Sequence, residues 1–510
     1  MPPWGNPGRP FFGRTRECRL ETAAYRLLSI APRRGIKVRT EKGTSHNPDP
    51  TLPIMAIPPV RSRRDFLKAS LAASSLFVLP RFAIGQGGPP PGRRLNLAFI
   101  GAGGQAEAAY SGCDGENFVA LCDVDDKRAA GAFAKYPGAR RFRDFRVMLD
   151  KMHKEIDAVV VSTPDHIHFS AAYLSMQLGK HVFVQKPLTH NIWQARTLRR
   201  AAARFKVISQ MGNQGHTTEG IRLVKEWYDA GALGDVREVH AWFDGPDFVI
   251  GPYFRVPASF PPPPSDVPAT LDWDLWLGPA RKRAYSPAYA PLIWRGFWDF
   301  GCGELGDWAC HTLDAPFWSL DLGAPSRVTV ENIETIHEGF VPRSSHLKFE
   351  FPARGAKPPV ALHWYDGGQH PAQPLDWDRK KEFPKSGMLM IGDKNTLMTG
   401  PRPDSPELLG GVLWEDFKRS LPPKVIPRVK GGPFAEWIRA VKGDGPMPGS
   451  NFDYSARLTE MALVGVMAQR TNQDIEWDAA NMRVTNHPDF ERYVREPARH
   501  GWNVGDEVWS

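Results

Sequence analysis

The sequence predicts an α/β domain with a doubly wound parallel sheet, followed by an α+β domain with a large, mostly antiparallel open sheet. Between residues 95 and 215, short apolar runs alternate with helical segments, which is typical of a parallel sheet covered on both faces. Farther along the chain, "SRVTVENIETI", "HLKFEFPA" and "PVALHWYDG" alternate apolar with polar residues, as antiparallel strands do. The 510 residues are enough for two such domains and an N-terminal extension.

A basic leader precedes the first predicted strand. Residues 1–86 contain 15 Lys and Arg residues and 5 Asp and Glu residues, which is a net charge of +10. Because the whole chain has a net charge of +9, the remaining residues have a net charge of −1. A nearly neutral body lacks the basic surface of a nucleic-acid-binding protein. Residues 1–54 are rich in Pro, Arg and Gly without a period, so we expect a disordered extension or a misplaced start, with Met55 as the true start.

Residues 55–86 have the order of an export signal. A pair of arginines precedes an apolar run of 11 residues, Ala69 to Leu79, which is too short to span a bilayer. "SRRDFLK" resembles a twin-arginine signal, which implies transport of the folded, cofactor-loaded protein to the periplasm or another extracytoplasmic location. The alternative interpretation is an amphipathic helix start in a basic tail. Residues 87–94 are predicted to be a linker.

The first strand, "LNLAFI", runs directly into "GAGGQA", a G-x-G-x-x-A motif that opens a helix. The first glycine allows a tight turn, the second lets the backbone approach a pyrophosphate, and the alanine lets the helix pack on the strand. We therefore expect a Rossmann dinucleotide-binding domain over residues 95–215, against the alternative of a glycine turn without a ligand. The expected cofactor contacts are Gly101, Gly103, Gly104, Gln105 and Ala106.

The second and third strands, "FVALCD" and "DAVVVSTP", end in further candidate cofactor contacts. A carboxylate at Asp123 suits the ribose hydroxyls and repels a 2′-phosphate, so NAD is expected rather than NADP. Thr163 and Pro164 are expected to line the cofactor pocket. Asp165 is expected to cap the next helix, and His166 to face the crevice, where it is a candidate cofactor contact, or solvent. An H-x-H pair supplies only two ligands, so no metal site is predicted.

The fourth strand, "HVFVQ", is followed by a lysine and a proline. Because the carboxyl ends of parallel strands meet at one edge, Gln185 and Lys186 are expected to reach the cofactor crevice. An ammonium group there can hydrogen-bond a substrate hydroxyl and stabilise its developing alkoxide. The alternative is a solvated charge at a strand end. Pro187 prevents continuation of the strand and is a candidate for a cis peptide bond.

"GCGELGDWACHTLD", residues 301–314, supplies a candidate base. Asp307 and His311 are four residues apart and would share one helix face, so the carboxylate is expected to orient the imidazole. The alternatives are an ordinary surface pair and a zinc site that includes Cys302 and Cys310, whose spacing is poor for zinc.

An aromatic, proline-rich insert lies between the predicted parallel sheet and this helix. It includes "FPPPPSDVPATLDWDLWLGPA" and "PLIWRGFWDFG". Flat aromatic faces beside polar groups suit pyranose rings, so Trp294, Arg295 and Trp298 are candidate substrate contacts. Alternatively, the tryptophans anchor a long loop to the body. Near the C-terminus, "DYSARLTEMALVGVMAQRTN" predicts a core helix.

"GAGGQA", "STPDHIHF", "GKHVFVQKPL", "MGNQGH" and "GDWACH" together resemble the glucose–fructose oxidoreductase, inositol dehydrogenase and MocA-like (Gfo/Idh/MocA) family. The resemblance covers roughly residues 95–505 and implies a substrate and oligomerisation domain over residues 216–505 with C-terminal helices. The sequence differs from the family pattern at Gln185, where the family usually has a glutamate. The site residues that the resemblance implies are a catalytic group of Lys186, Asp307 and His311, with His311 as the base, and Asn213 and Gln214 near the substrate or nicotinamide.

The same resemblance implies NAD(P)-dependent oxidation of a secondary hydroxyl of a sugar, glycoside or polyol by an exported homodimer or homotetramer. Its expected partners are a small sugar or glycoside and the twin-arginine export machinery, without nucleic acid or a stable membrane span. Two alternatives stay open at this point. One is NAD-dependent glycoside cleavage by transient oxidation and elimination, and the other is a non-catalytic sugar-binding protein.

Overall fold

The computed structural model describes residues 93–244 and 254–510. The predicted extension, the export signal and most of the predicted linker lie outside the described residues. Within the two described ranges, no helix combines the length and the apolar character that a membrane crossing needs.

Six parallel strands form the first sheet, in the order β3-β2-β1-β4-β5-β6. Its strands are β1 Asn96–Ile100, β2 Asn117–Cys122, β3 Arg140–Phe142, β4 Ala158–Val161, β5 His181–Val184 and β6 Ser209–Met211. The intervening helices are α1 Ala106–Gly112, α2 Asp126–Lys135, α3 Phe145–Met152, α4 Asp165–Gln177 and α5 Ile192–Phe205. The predicted doubly wound sheet is confirmed. The strand order reverses between β1 and β4, which is where such sheets bind ligands.

Short polar side chains start several of these helices. Asp125, Asp144 and Asn191 each accept a hydrogen bond from a backbone N–H in the first turn of α2, α3 and α5, respectively. The predicted cap at Asp165 is wrong, because α4 begins at Asp165 itself and Pro164 occupies the cap position. The Asp165 carboxylate instead accepts a hydrogen bond from the backbone N–H of Cys302, 3.1 Å away.

A nine-stranded sheet follows, in the order β13-β12-β11-β7-β10-β9-β8-β14-β15. Only β10 and β7 pair in parallel, so the predicted large, mostly antiparallel sheet is confirmed. Its strands are β7 Val236–Phe243, β8 Arg327–Glu334, β9 Ser344–Phe351, β10 Val360–Asp366, β11 Ser386–Gly392, β12 Thr396–Thr399, β13 Glu407–Leu408, β14 Ile475–Asp478 and β15 Arg483–Val484.

Eight further α-helices occur in the described residues. They are α6 Glu219–Asp229, α7 Trp273–Leu277, α8 Gly303–Thr312, α9 Asp314–Leu320, α10 Gly411–Lys418, α11 Gly432–Lys442, α12 Phe452–Thr471 and α13 Glu491–Val494. The predicted core helix α12 is buried over most of its length and packs against α5, α8 and β8. It therefore holds α8, the helix of the candidate base, against both parts of the fold.

Helix α11 returns to the first sheet between β13 and β14 of the second sheet. Phe434 stacks on Phe183 of β5 with ring centroids 4.1 Å apart, and Trp437 is fully buried beside it. One face of the parallel sheet is thus covered by residues far outside the range 95–215.

Candidate active site

A pocket lies at the carboxyl ends of β1, β2, β4 and β5. At one end it is bounded by Asp125 and Arg128, and at the other by Lys186 and Arg295. The expected contacts that line it are Gly101, Gly103, Gly104, Gln105, Asp123, Thr163, Pro164, Gln185, Lys186, Trp294 and Arg295. Ala106 is fully buried below the glycine loop.

The glycine loop requires glycine for steric reasons. Gly101 has φ +84°, and a Cβ atom there would lie 2.6 Å from the carbonyl oxygen of Ser162. A Cβ atom on Gly103 would lie 2.7 Å from the carbonyl oxygen of Arg128. These oxygens belong to the backbone and cannot rotate away, so the loop keeps a bare backbone at the pocket wall.

Asp123 holds this loop from below. One carboxylate oxygen accepts hydrogen bonds from the backbone N–H groups of Ala102, 2.8 Å away, and Gly103, 3.1 Å away, and the other accepts one from Asp125 at 3.0 Å. Burial raises the pKa of Asp123, although these N–H groups favour its charged form. A carboxylate has about four acceptor sites, so capacity for a ribose hydroxyl is left and the expected ribose contact stays a prediction.

The residues present fit a dinucleotide. The loop offers bare backbone to a diphosphate, and the hydroxyl groups of Ser162 and Thr163 are buried with no hydrogen-bond partner among the described residues. Buried polar atoms of this kind are normally satisfied. A bound molecule with polar groups would satisfy them here.

Lys186 follows β5 and lines the pocket, and its side chain pairs with Asp307 on α8. The Lys186 ammonium donates to Asp307 Oδ1 at 2.5 Å, and the guanidinium Nε of Arg295 lies 3.9 Å from the same oxygen. Burial opposes the charge on Asp307, but Lys186 and Arg295 hold the pKa of Asp307 below its ordinary value. The Lys186–Pro187 peptide bond is cis, as anticipated.

His311 lies one turn farther along α8 and is fully buried. Neither of its ring nitrogens has a hydrogen-bond partner among the described residues. The expected hydrogen bond from His311 to Asp307 is therefore absent, because Asp307 points to Lys186 instead. Burial, and next the positive charges of Lys186 and Arg402, lower the pKa of His311 well below its ordinary value. The imidazole is neutral and has an unused nitrogen lone pair.

The two histidines of "STPDHIHF" hold backbone rather than face the crevice. His166 is buried between the carbonyl oxygens of Phe300 and Trp276, at 3.2 and 3.0 Å, so its expected place at the cofactor or in solvent is corrected. His168 lies between the carbonyl oxygens of Thr163 and Pro187, at 2.9 and 2.8 Å. It therefore ties the turn after β4 to the turn that carries Lys186.

The expected substrate contacts differ in their surroundings. Asn213 donates to Asp314 at 2.8 Å and accepts from Ser450 at 2.5 Å within a buried network, and its substrate contact stays a prediction. Trp298 is buried and does not line the pocket, as is also true of His311, and its contact stays a prediction. The side-chain oxygen of Gln214 is buried with no partner among the described residues, and its contact stays a prediction. Trp294 lines the pocket and carries the Arg295 guanidinium 4.3 Å above its ring.

Two family models match the chain. Residues 95–213 match an oxidoreductase family with an NAD-binding Rossmann fold, and residues 259–351 match the C-terminal α/β domain of the same family, Gfo/Idh/MocA. These two segments are therefore similar to the two domains of the Gfo/Idh/MocA oxidoreductase family. The predicted family resemblance and the NAD-binding fold are thereby confirmed.

Curated relatives align with only part of this oxidoreductase. Levoglucosan dehydrogenase from Pseudarthrobacter phenanthrenivorans is 22% identical over 195 residues, which are 38% of this chain and 40% of the relative. Inositol 2-dehydrogenase 2 from Saccharopolyspora erythraea is 35% identical over 98 residues, 18% of this chain and 28% of the relative. The chain thus spans two fifths or less of the length of these relatives.

Solved structures share the fold across most of the chain. The WlbA dehydrogenase from Bordetella pertussis, in complex with NADH and UDP-GlcNAcA, aligns with a TM-score of 0.52 at 16% identity. The alignment covers 76% of this chain and 99% of the WlbA chain. An inositol dehydrogenase homolog from Azotobacter vinelandii, complexed with NADH and myo-inositol, has a TM-score of 0.50 at 15% identity, with coverages of 76% and 98%.

The structure places two charged residues, Asp165 and Arg402, where the sequence did not predict them. Asp165 lines the pocket, and burial, together with the negative charge of Asp307, raises the pKa of Asp165 to about 6. Arg402 lies 4.7 Å from the ring of Trp308, which neighbours His311. Arg402 is more than 90 positions from Trp308 in the sequence, so no local spacing could reveal this contact.

Proposed function

We propose that this oxidoreductase transfers a hydride from a secondary C–H of a sugar, glycoside or polyol to NAD⁺. The observation that carries the proposal is that Lys186, which lines the pocket, pairs with Asp307 one helical turn from a buried, neutral His311. Sugar- and polyol-dehydrogenase names among the relatives support this substrate class.

Each side chain has a separate role in this mechanism. When bound along the glycine loop, NAD⁺ supplies the hydride acceptor. Lys186 donates a hydrogen bond to the hydroxyl oxygen and stabilises the negative charge that develops there. Asp307 positions the ammonium group. His311 accepts the hydroxyl proton on its free ring nitrogen, as a general base does.

The test is a panel of neutral and charged sugars, glycosides and polyols, with NAD⁺ and the absorbance of NADH as the readout. His311→Gln is expected to lower kcat about 10²- to 10⁴-fold, the range that general base catalysis contributes. His500→Gln is the matched control, because His500 is exposed. Near-normal turnover by a folded His311→Gln protein would contradict the assignment.

Two other results of the panel would select the alternatives. Release of an aglycone from a chromogenic glycoside without net formation of NADH would identify glycoside cleavage by transient oxidation. Sugar binding without turnover of any compound, unaffected by Lys186→Met, would identify a sugar-binding protein.

We further propose export through the twin-arginine route with NAD already bound, on the basis of "SRRDFLK". Free cofactor is scarce outside the cytoplasm, so a retained and internally recycled NAD(H) suits this location. Denaturation of the protein purified from the periplasmic fraction should release one dinucleotide per chain. Absence of dinucleotide, or unchanged export after replacement of Arg63 and Arg64 by lysine, would reject this part of the proposal.

We also propose a homodimer or homotetramer. The outer face of the second sheet carries His240, His346 and His363, which are only partly buried in the single chain. Light scattering on the purified protein should give a mass of two or four chains. A monomer at micromolar concentration would contradict the proposal.

A further inference from the structure

The turn after β4 and the turn after β5 both line the pocket, and both lie beyond the end of the strand ladder. Parallel pairing of the two strands ends with Val161 and Val184, and one further backbone hydrogen bond joins the N–H of Gln185 to the carbonyl oxygen of Val161 at 3.0 Å. Thr163, an expected cofactor contact, and Lys186 follow beyond this point. Contacts outside the ladder therefore fix their separation.

His168 makes such a contact. It lies in the first turns of α4, with only 1% of its surface exposed. Its Nε2 lies 2.9 Å from the carbonyl oxygen of Thr163, and its Nδ1 lies 2.8 Å from the carbonyl oxygen of Pro187, the residue after Lys186. One ring thus spans the two turns, and α4 itself packs against β4, β5 and α5.

The two contacts of the His168 ring are not equivalent. Burial lowers the pKa of His168 to about 4, so the ring is neutral near pH 7 and carries a single N–H to donate. The Thr163 contact spans 5 positions at the start of α4, where the chain itself already keeps the two residues close. The Pro187 contact spans 19 positions and joins two separate elements. Donation from Nδ1 to Pro187 therefore contributes more to the placement of Lys186.

We infer that His168 is a positioning residue for Lys186: its Nδ1–H donates to the carbonyl oxygen of Pro187 and holds the ammonium group at a fixed distance from the turn after β4. The inference rests on the proposed function, in which Lys186 stabilises the reacting oxygen. Asp307 contacts the ammonium group itself, whereas His168 acts on the backbone that carries it. Placement affects the rate because a shift of about 1 Å near the reacting atoms can cost about 10²-fold.

The first test measures turnover with NAD⁺ and the best substrate of the sugar panel. His168→Leu removes the donor and should lower kcat by up to about 10²-fold, with a much smaller change in KM, because the groups that bind the substrate are still present. His168→Asn should recover more of kcat than His168→Gln does. The shorter amide lies near the position of Nδ1, and the longer one lies near that of Nε2.

The second test is independent of activity. The Lys186 side chain is 19% exposed and paired with Asp307, so an acylating amine reagent reaches it slowly. Labelling of Lys186, measured by peptide mass spectrometry, should be faster in His168→Leu than in the wild type, because the released turn separates the pair part of the time. Lys225 is the internal reference, since its side chain is 21% exposed and paired with Asp229 on α6.

His181→Leu is the matched control variant. His181 begins β5, at the opposite end of the strand from Lys186, and its Nδ1 accepts a hydrogen bond from the backbone N–H of Ile208 at 2.9 Å. The substitution removes a histidine contact to backbone without changing a residue that lines the pocket. This variant should keep the wild-type kcat and the wild-type labelling of Lys186. Thermal unfolding of all variants reports any general loss of stability.

The outcomes separate this inference from the proposed function. Unchanged kcat or unchanged labelling of Lys186 in a folded His168→Leu protein overturns the inference, and so does an equal loss of kcat in His181→Leu. Better recovery by His168→Gln than by His168→Asn also overturns it, because the donated proton would then serve Thr163. If the wild type oxidises no compound of the panel, the proposed function fails, and faster labelling of Lys186 in His168→Leu still supports the inference.

Discussion

The partner of Asp307 changes the roles within the candidate catalytic group. Spacing on α8 predicted that Asp307 would orient His311, but the carboxylate accepts a hydrogen bond from Lys186 at 2.5 Å. Asp307 therefore acts on the ammonium group of Lys186, which the proposed mechanism uses to stabilise the substrate oxygen. His311 keeps a ring nitrogen free of hydrogen bonds among the described residues, and burial, with the positive charges of Lys186 and Arg402, keeps the imidazole neutral.

The neutral state of His311 predicts an unusual pH profile. Its pKa is lowered, so the imidazole stays unprotonated as the pH falls through 6.5, the ordinary value for histidine. We expect kcat/KM with NAD⁺ to show no acidic limb near pH 6.5, and to fall only at a clearly lower pH. A pH–rate profile with the best substrate measures this. A limb centred at about 6.5 would contradict the assignment of His311 as the base.

Replacement of Asp165 by asparagine is predicted to stabilise the folded protein to an extent that depends on pH. Its folded pKa of about 6 is higher than its ordinary value of 3.8, so the fold favours the protonated form and ionisation at pH 8 destabilises it. Asp165→Asn should raise the free energy of unfolding at pH 8 by up to about 3 kcal/mol, at 1.36 kcal/mol per pKa unit.

This gain should shrink as the pH falls from 6 toward 4, because the wild-type carboxyl group then becomes protonated in the folded state. Urea unfolding of both proteins at pH 8 and pH 5 measures the difference. A less stable Asp165→Asn protein at pH 8 would show that attraction to Arg295, His190 and Lys186 outweighs burial.

At the scale of single elements, the turn between β1 and α1 and the carboxylate that ends β2 act as one unit. Asp123 accepts two N–H groups of the glycine loop, and the loop packs on backbone of the turn after β4 and of α2. A side chain at Gly101 or Gly103 would collide with backbone atoms of the neighbouring segments, which cannot move aside as a flexible side chain can. The nucleotide pocket therefore depends on glycine more strictly than ordinary turns do.

Gly103→Ala tests this dependence. The added Cβ would lie 2.7 Å from the carbonyl oxygen of Arg128, and overpacking of this kind costs about 1–3 kcal/mol, so NAD affinity should fall about 10-fold or more. Gly131→Ala is the matched control, because Gly131 lies within α2 with no atom within 4 Å of its Cβ position. It should stabilise the protein by up to about 1 kcal/mol without changing NAD affinity. Fluorescence titration measures affinity, and equal values for the two variants would contradict the prediction.

Not every element could be predicted from its own sequence. The helix α12 has a long apolar stripe with helical spacing, and it was predicted with nearly its observed bounds. The strand β3 has three residues, two of them arginines, and it pairs only with the edge of β2. Its backbone pairing depends on the neighbouring strand, so no local pattern marks it.

At the scale of the whole molecule, the packing around the six-stranded sheet is not confined to the stretch of chain that forms its strands. Helix α11 lies between β13 and β14 of the nine-stranded sheet in sequence, yet it packs on the six-stranded sheet through Phe434 and Trp437. A Cβ atom on Gly112 of α1 would lie 2.4 Å from the Phe434 ring, so the contact is close. Both β5 and α1 of the nucleotide-binding domain thus pack on a helix from a distant part of the chain.

Trp437→Ala should expose this dependence. Removal of a fully buried tryptophan costs about 3–5 kcal/mol of unfolding free energy, and loss of packing behind β5 should also weaken NAD binding. Trp377→Ala is the control, because Trp377 is buried in a cluster with Trp242 and Leu389 on the second sheet. It should destabilise the protein and leave NAD affinity unchanged. Unchanged NAD affinity in Trp437→Ala as well would contradict the proposed support from α11.

The sequence by itself determined the alternation of strands and helices, the glycine loop, the placement of Lys186 at a strand end and the shared helix of Asp307 and His311. These features depend on periodicity, sterics and turn chemistry within a few residues. Only the tertiary structure decided which side chains meet: Lys186 with Asp307, 121 positions away, Asn213 with Asp314, 101 positions away, and Arg402 with Trp308. The physical reason is that a hydrogen bond or ion pair depends on distances of a few ångströms, which distant segments acquire only when the whole core packs.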